Sequence, residues 1–215
     1  MLARVDAGSE GPSRSEQRVA VLLVLLASAA LAAAVWSVPV WLGNDGPAHL
    51  FNAYAAVHFP DEAKGFARYL ELNTNVTARG FQEIYRLLDL LLPWKEAYRV
   101  TVVVIAEVWA FAFLFAAISL HRSRWPVGLC GFALALGWPL DMGFFNFWLA
   151  TAGALATIGV SVRYGDRRWW PFALALGLWL TACAHVFSSM LAGGALVAIE
   201  AARRSGAGAG RSGSR

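Results

Sequence analysis

Apolar residues along this chain come in long blocks, and the charged residues stand between the blocks. The first block covers 19–42 (VAVLLVLLASAALAAAVWSVPVWL). A bilayer-spanning helix needs about 20 such residues, whereas the core of a secretory signal has only roughly 7–15. The block therefore predicts an uncleaved membrane helix. Trp36 and Trp41 stand near its far end, where indole rings favour the membrane interface. Blocks at 99–120, 126–142 and 144–162 predict three more spans. The last apolar stretch, 171–200, is long for one span, and His185-Val186-Phe187-Ser188-Ser189 in its middle marks a break. Two short helices, 171–185 and 188–202, packed as a hairpin, are the favoured reading; one long tilted helix is the alternative. The fold class is thus all-α: a polytopic transmembrane helical bundle of about six helices.

Residues 43–98 form the one long hydrophilic segment and predict an outer loop that carries surface helices. A short helix follows Gly46-Pro47-Ala48 (HLFNAYAAVHF). In 81–92 (FQEIYRLLDLLL), Phe81, Ile84, Leu87, Leu88 and Leu91 share one helical face, while Gln82, Glu83, Arg86 and Asp89 lie elsewhere. That pattern predicts an amphipathic helix lying on the membrane surface and ended by Pro93. Residues 1–18 and 203–215 are polar, Gly/Ser-rich tails. No folded segment follows the last span, which suggests the N-terminal piece of a longer protein.

Basic residues set the orientation. Arg4, Arg14 and Arg18 precede the first span, and His121-Arg122-Ser123-Arg124, Arg163/Arg167/Arg168 and Arg203/Arg204 flank later ones. With six spans all four clusters fall on one side, read as the cytoplasm. The 43–98 segment has acids enough to balance its Lys and Arg, so it belongs outside; five spans would put Arg203/Arg204 outside as well. Composition agrees: 58% of residues are hydrophobic and 15% charged, against about 45–50% and about 25% in soluble domains. The net charge of +4 does not indicate nucleic acid, because the basic residues flank apolar runs instead of forming a stripe. Cys130 and Cys183 lie within apolar runs and lack metal-ligand spacing.

Candidate chemistry gathers at the outer ends of the helices. Asp45 and His49 are spaced i, i+4 just past the first span. Asp141 and Asn146 lie at the outer turn between the third and fourth spans, and His185 lies at the end of the fifth. A carboxylate and an imidazole there are suited to acid/base work or to holding a divalent cation. Each residue also has a simpler reading. Asp45 suits a helix N-cap, with Pro47 in the first turn. His49 reads as a solvated loop residue, Asp141 as a helix end, Asn146 as an interhelical hydrogen bonder and His185 as a packing residue. Glu107, inside the second span, needs a partner or a proton. Asn75-Val76-Thr77 matches a glycosylation sequon, a pattern too common to carry weight. No zinc pattern, phosphate loop or nucleophile elbow is present.

The order of a first span, NDGPAHLFNAY, a surface helix, an MGFFNFWLA hairpin and AHVFSSMLA resembles bacterial multi-spanning membrane proteins related to the GT-C glycosyltransferases. The resemblance covers about 20–200. It implies an enzyme, or its N-terminal portion, that transfers a sugar from a polyprenyl-phosphate carrier at the outer face of the bacterial inner membrane. It further implies that Asp45 matches the catalytic acid of the first outer loop, with His49 beside it. Asp141, Asn146 and His185 match positions on the substrate side. Arg79 or Arg86 would hold the donor phosphate, and a divalent cation is an open question. The competing reading is a non-enzymatic transporter or assembly subunit in which Glu107 and His185 lie on a pathway; a non-functional fragment is the third.

Overall fold

A computed structural model describes residues 13–38, 40, 43–72, 77–120 and 125–209. The Arg4 and His121–Arg124 basic sites and Asn75 of the sequon lie outside the described residues. The described chain is all-α. Four helices are long and apolar enough to cross a membrane: α1 (Arg14–Ser37), α4 (Trp94–Leu120), α7 (Phe145–Tyr164) and α9 (Val186–Ala209), the last over Val186–Arg203. Shorter apolar helices α5 (Trp125–Leu134) and α8 (Trp170–Ala184) complete the bundle. Two helices, α2 (Gly46–Val57) and α3 (Gly80–Asp89), fold the hydrophilic segment, and α6 (Trp138–Asp141) turns the chain into α7.

The helices begin and stop for local reasons. Ser13 and Glu16 form a capping box that starts α1. Pro47 stands in the first turn of α2 and Pro171 in that of α8, where a missing N–H costs nothing. The expected single span at 126–142 is instead broken: α5 ends at Leu134, and Gly137 in extended backbone precedes α6 with Pro139 in its first turn. The stretch 171–200 breaks where His185 adopts extended backbone (φ −165°, ψ 116°), so one continuous helix is excluded. α8 and α9 pack as a hairpin, and Ser189 Oγ donates to the Leu178 carbonyl at 3.0 Å.

The core lies where α4 meets α7, α5 and α1. Tyr98, Val102, Ile105 and Ala106 of α4 are fully enclosed. The outward faces carry Leu22, Leu25 and Leu26 of α1 and Phe172, Trp179 and Leu180 of α8, all more than half exposed. Such a surface is stable against hydrocarbon and unstable against water. Since lipid offers no hydrophobic drive between helices, close packing of small residues holds them together. The contact of α7 with α8 is reciprocal. A Cβ on Gly153 would lie 2.7 Å from Thr181 Oγ1, and one on Gly177 would collide with Thr157 Oγ1. Each threonine hydroxyl donates back to its own helix, Thr157 to Gly153 and Thr181 to Gly177, both at 2.7 Å. No hydroxyl in this contact is left unsatisfied.

The bundle has two distinct ends. At one, here the loop end, Arg99 of α4 lies 5.4 Å from the Trp36 ring of α1, and Phe81 of α3 stacks on Phe145 of α7. At the other, the tail end, Arg203 donates to the Ser161 and Val162 carbonyls at 2.9 and 3.2 Å. Helix α3 turns one edge into the bundle and leaves part of its apolar face exposed. Phe81 and Tyr85 are its buried residues, with Ile84 and Leu88 half-buried, whereas Leu87 and Leu91 are 57% and 81% exposed. Tyr85 is held on the buried edge by its phenol, which donates to the nearly buried Asp89 carboxylate.

Candidate functional site

Asp45 is positioned by a backbone lock between two turns. Gly43 (φ +48°) and Gly143 (φ +76°) adopt left-handed conformations open to glycine. The Met142 carbonyl accepts from the Asn44 and Asp45 amides at 3.0 and 2.9 Å. A Cβ on Gly43 would lie 2.6 Å from the Asp141 carbonyl, and one on Gly143 would run into the Gly46 amide. Asp45 stands at the N-cap of α2, yet its side chain makes no capping hydrogen bond. Instead Asn44 Nδ2 donates to its Oδ1 at 3.2 Å. The carboxylate is therefore not consumed by the helix. Asp141 is the exposed last residue of α6 beside this lock.

One turn along α2, His49 packs its ring 5.7 Å from Phe81 and 5.9 Å from Phe145. Burial lowers its pKa from the ordinary 6.5, and the negative charge of Asp45 opposes that shift. A neutral imidazole beside a half-exposed carboxylate is a competent proton acceptor pair.

Asn146 is buried, and its amide is committed to the loop. Its Oδ1 accepts from the Phe81 amide at 2.8 Å, while Nδ2 donates to the Ala78 carbonyl at 2.6 Å and reaches Gln82 Oε1 at 3.4 Å. These bonds fasten the head of α3, where Ala78 sits at φ 58°, to the start of α7. His185 occupies the α8–α9 corner, edge-on to Phe147 at 5.4 Å, with Nδ1 buried and unpartnered. Arg79 and Arg86 both pair with Glu83, each at 3.0 Å. Arg79 and Glu83 rim a groove of about 530 Å³ between α3, α4, α7 and α8, floored by Val108, Leu149, Gly153 and Leu180. Five of the seven expected residues gather in two places, while His185 stands at the α8–α9 corner and Arg86 further along α3. Asp45, His49 and the Asp141 turn meet at the head of α2; Asn146 and Arg79 meet at the head of α3. Among the described residues no three His, Cys, Asp or Glu side chains come together as a metal site.

Two constellations were not anticipated. Asp89, with its side chain 5% exposed, accepts from Tyr85 OH at 2.9 Å and pairs with His58 Nε2 at 3.2 Å. The His58 ring packs at a tilt 4.3 Å from Tyr54, whose hydroxyl accepts from Lys64. Burial, then Asp89, raises the pKa of the Tyr85 phenol. The i, i+4 spacings Tyr54/His58 and Tyr85/Asp89 are the only sequence signal for this network. The second is a bond within the bundle: Ser28 Oγ of α1 donates to Glu107 Oε1 of α4 at 3.0 Å.

The fold and these features define a multi-pass, all-α membrane-type bundle with a structured polar cap at one end. No family model, curated protein or solved structure matches the chain.

Proposed function

We propose that the chain is a membrane-embedded glycosyltransferase-like protein, or the N-terminal portion of one, that uses a polyprenyl-phosphate-linked sugar. It lies in the bacterial inner membrane with its tail end cytoplasmic and its loop end outside. The observation that supports this reading is the groove between α3, α4, α7 and α8. Its floor is apolar, its flank opens toward lipid, and Arg79 stands at its head. An isoprenoid chain suits the floor and a phosphate suits the guanidinium, which would exchange Glu83 for the stronger charge. Asp45, free of capping duty and next to neutral His49, would take the proton of an acceptor hydroxyl.

The non-enzymatic alternative rests on Glu107 and His185. No other ionisable side chain lies in α4 between Thr101 and Leu120, so no polar line along that helix crosses the bundle. The test is binding and transfer with the full chain in lipid nanodiscs and a radiolabelled polyprenyl-phosphate hexose. Arg79→Gln should weaken binding about tenfold, the scale of one lost charge-assisted hydrogen bond. Asp45→Asn should abolish transfer while binding persists. Unchanged binding in the first variant and unchanged transfer in the second would defeat the proposal.

A further inference from the structure

A second trough runs along α4 and α7 on the flank of the bundle and has a volume of about 600 Å³. It shares Val108 and Gly153 with the groove at the loop end but continues toward the tail end, past Glu107 and Phe111 to Phe115. That volume falls in the range of about 300–1,000 Å³ typical of small-molecule sites. Val108 and Phe111 are each 43% exposed, so the trough opens on the side of the helices, where lipid lies.

Among the described residues Glu107 is the only ionisable one in the trough lining. Ser28 satisfies Oε1, while Oε2 is buried and has no partner. A carboxylate at this depth is costly unless a proton or a positive charge accompanies it. The other lining residues are aliphatic, aromatic or glycine and offer neither.

We propose that this trough binds a lipophilic cation whose charge is delocalised beneath an apolar surface. Three features select that chemistry. The free oxygen of the carboxylate, Oε2, is buried and Oε1 is taken by Ser28, so an ammonium or guanidinium would find no exposed acceptor to replace its water. A cation with its charge inside its own hydrocarbon shell needs none, and it feels the carboxylate through a medium of low dielectric. Phe111 and Phe115 add aromatic rings to the lining, and such rings attract a cation within about 6 Å of the ring centre. The lateral opening admits a ligand that has already partitioned into the bilayer. The site shares Val108 and Gly153 with the loop-end groove but does not rest on the transferase reading.

The probe is tetraphenylphosphonium, measured by equilibrium binding to the full chain in nanodiscs of zwitterionic lipid. Saturable binding at one site per chain is expected, with tetraphenylborate, of the same shape and opposite charge, failing to compete. Glu107→Gln keeps an acceptor for Ser28 and removes the charge; it should weaken binding at least about tenfold, as expected for a charge interaction across low dielectric. Val108→Trp fills the trough without touching the carboxylate and should abolish binding, whereas Glu200→Gln in α9 should leave it unchanged. Thermal unfolding of each variant reports folding, and if Glu107→Gln does not fold, Val108→Trp and the borate competition decide. Absence of saturable binding, full binding by either trough variant, or competition by tetraphenylborate overturns the proposal.

Discussion

Replacing Asn146 by Ala separates a structural role from a substrate-binding one. The amide makes three contacts to the head of α3, and the partners differ in what they can do without it. Phe81 is fully buried, so its amide hydrogen loses its acceptor and gains no water. A buried donor left unsatisfied costs about 1–3 kcal/mol. The Ala78 carbonyl belongs to an exposed residue and turns to solvent, forfeiting a net bond of about 1 kcal/mol. The contact to Gln82 at 3.4 Å is long and adds little. The sum is roughly 2–4 kcal/mol, or a melting temperature lower by roughly 5–15 °C for a chain of this size. Asn146→Asp should fare no better: it keeps the acceptor for Phe81 but aims an oxygen at the Ala78 carbonyl. The assay is thermal unfolding in nanodiscs, with a cysteine at Ala78 to report release of the α3 head through faster labelling. A variant that melts within a degree or two of the native chain would refute the reasoning. So would one that lost only ligand binding.

Three further outcomes follow from the geometry. Gly177→Leu drives a side chain into Thr157 and should cost about 1–3 kcal/mol as overpacking, while Gly193→Leu, whose Cβ meets nothing within 4 Å, should change stability by less than about 0.5 kcal/mol; equal effects would contradict the reciprocal α7–α8 contact. Because the folded state lowers the pKa of His49 below 6.5, the unfolded chain binds the proton first; stability is full above pH 6.5 and declines as pH falls from there to the lowered value. His49→Gln should flatten that part of the stability–pH profile, and a slope identical to the native one would show that His49 is not its source. Spin labels at Leu91 should be reached by a lipid-soluble quencher and labels at Tyr85 should not; equal exposure of the two would argue against an interfacial helix.

Much of the architecture was legible because a bilayer imposes length and composition on each span. The run from Val19, the lone carboxylate at Glu107 and the break at His185 are all visible in the letters. The break within 126–142 was also written there, as Gly137 and Pro139, but the surrounding apolar residues masked it. The bundle-facing edge of α3 was less legible, because Tyr85 is neither plainly polar nor plainly apolar. Its ring packs as a hydrophobe while its hydroxyl bonds Asp89 in the same helix, and Asp89 in turn pairs with His58, far back in the sequence at the end of α2. The same distance hid Asn146: its spacing marks a hydrogen bonder at a helix start but cannot say that the partners are Phe81 and Ala78. Asp45 was legible as a cap, and only the structure shows its carboxylate turned to Asn44 instead.

The account depends most on the bundle crossing a bilayer with its loop end and tail end on opposite sides. Single cysteines at Ala67, beyond α2, and at Asp166, between α7 and α8, are both on exposed residues and test this directly once Cys130 and Cys183 are replaced by alanine. In intact cells a membrane-impermeant maleimide should label the cysteine at 67 and leave the one at 166 untouched until the membrane is opened. Labelling of both from the same side would contradict it.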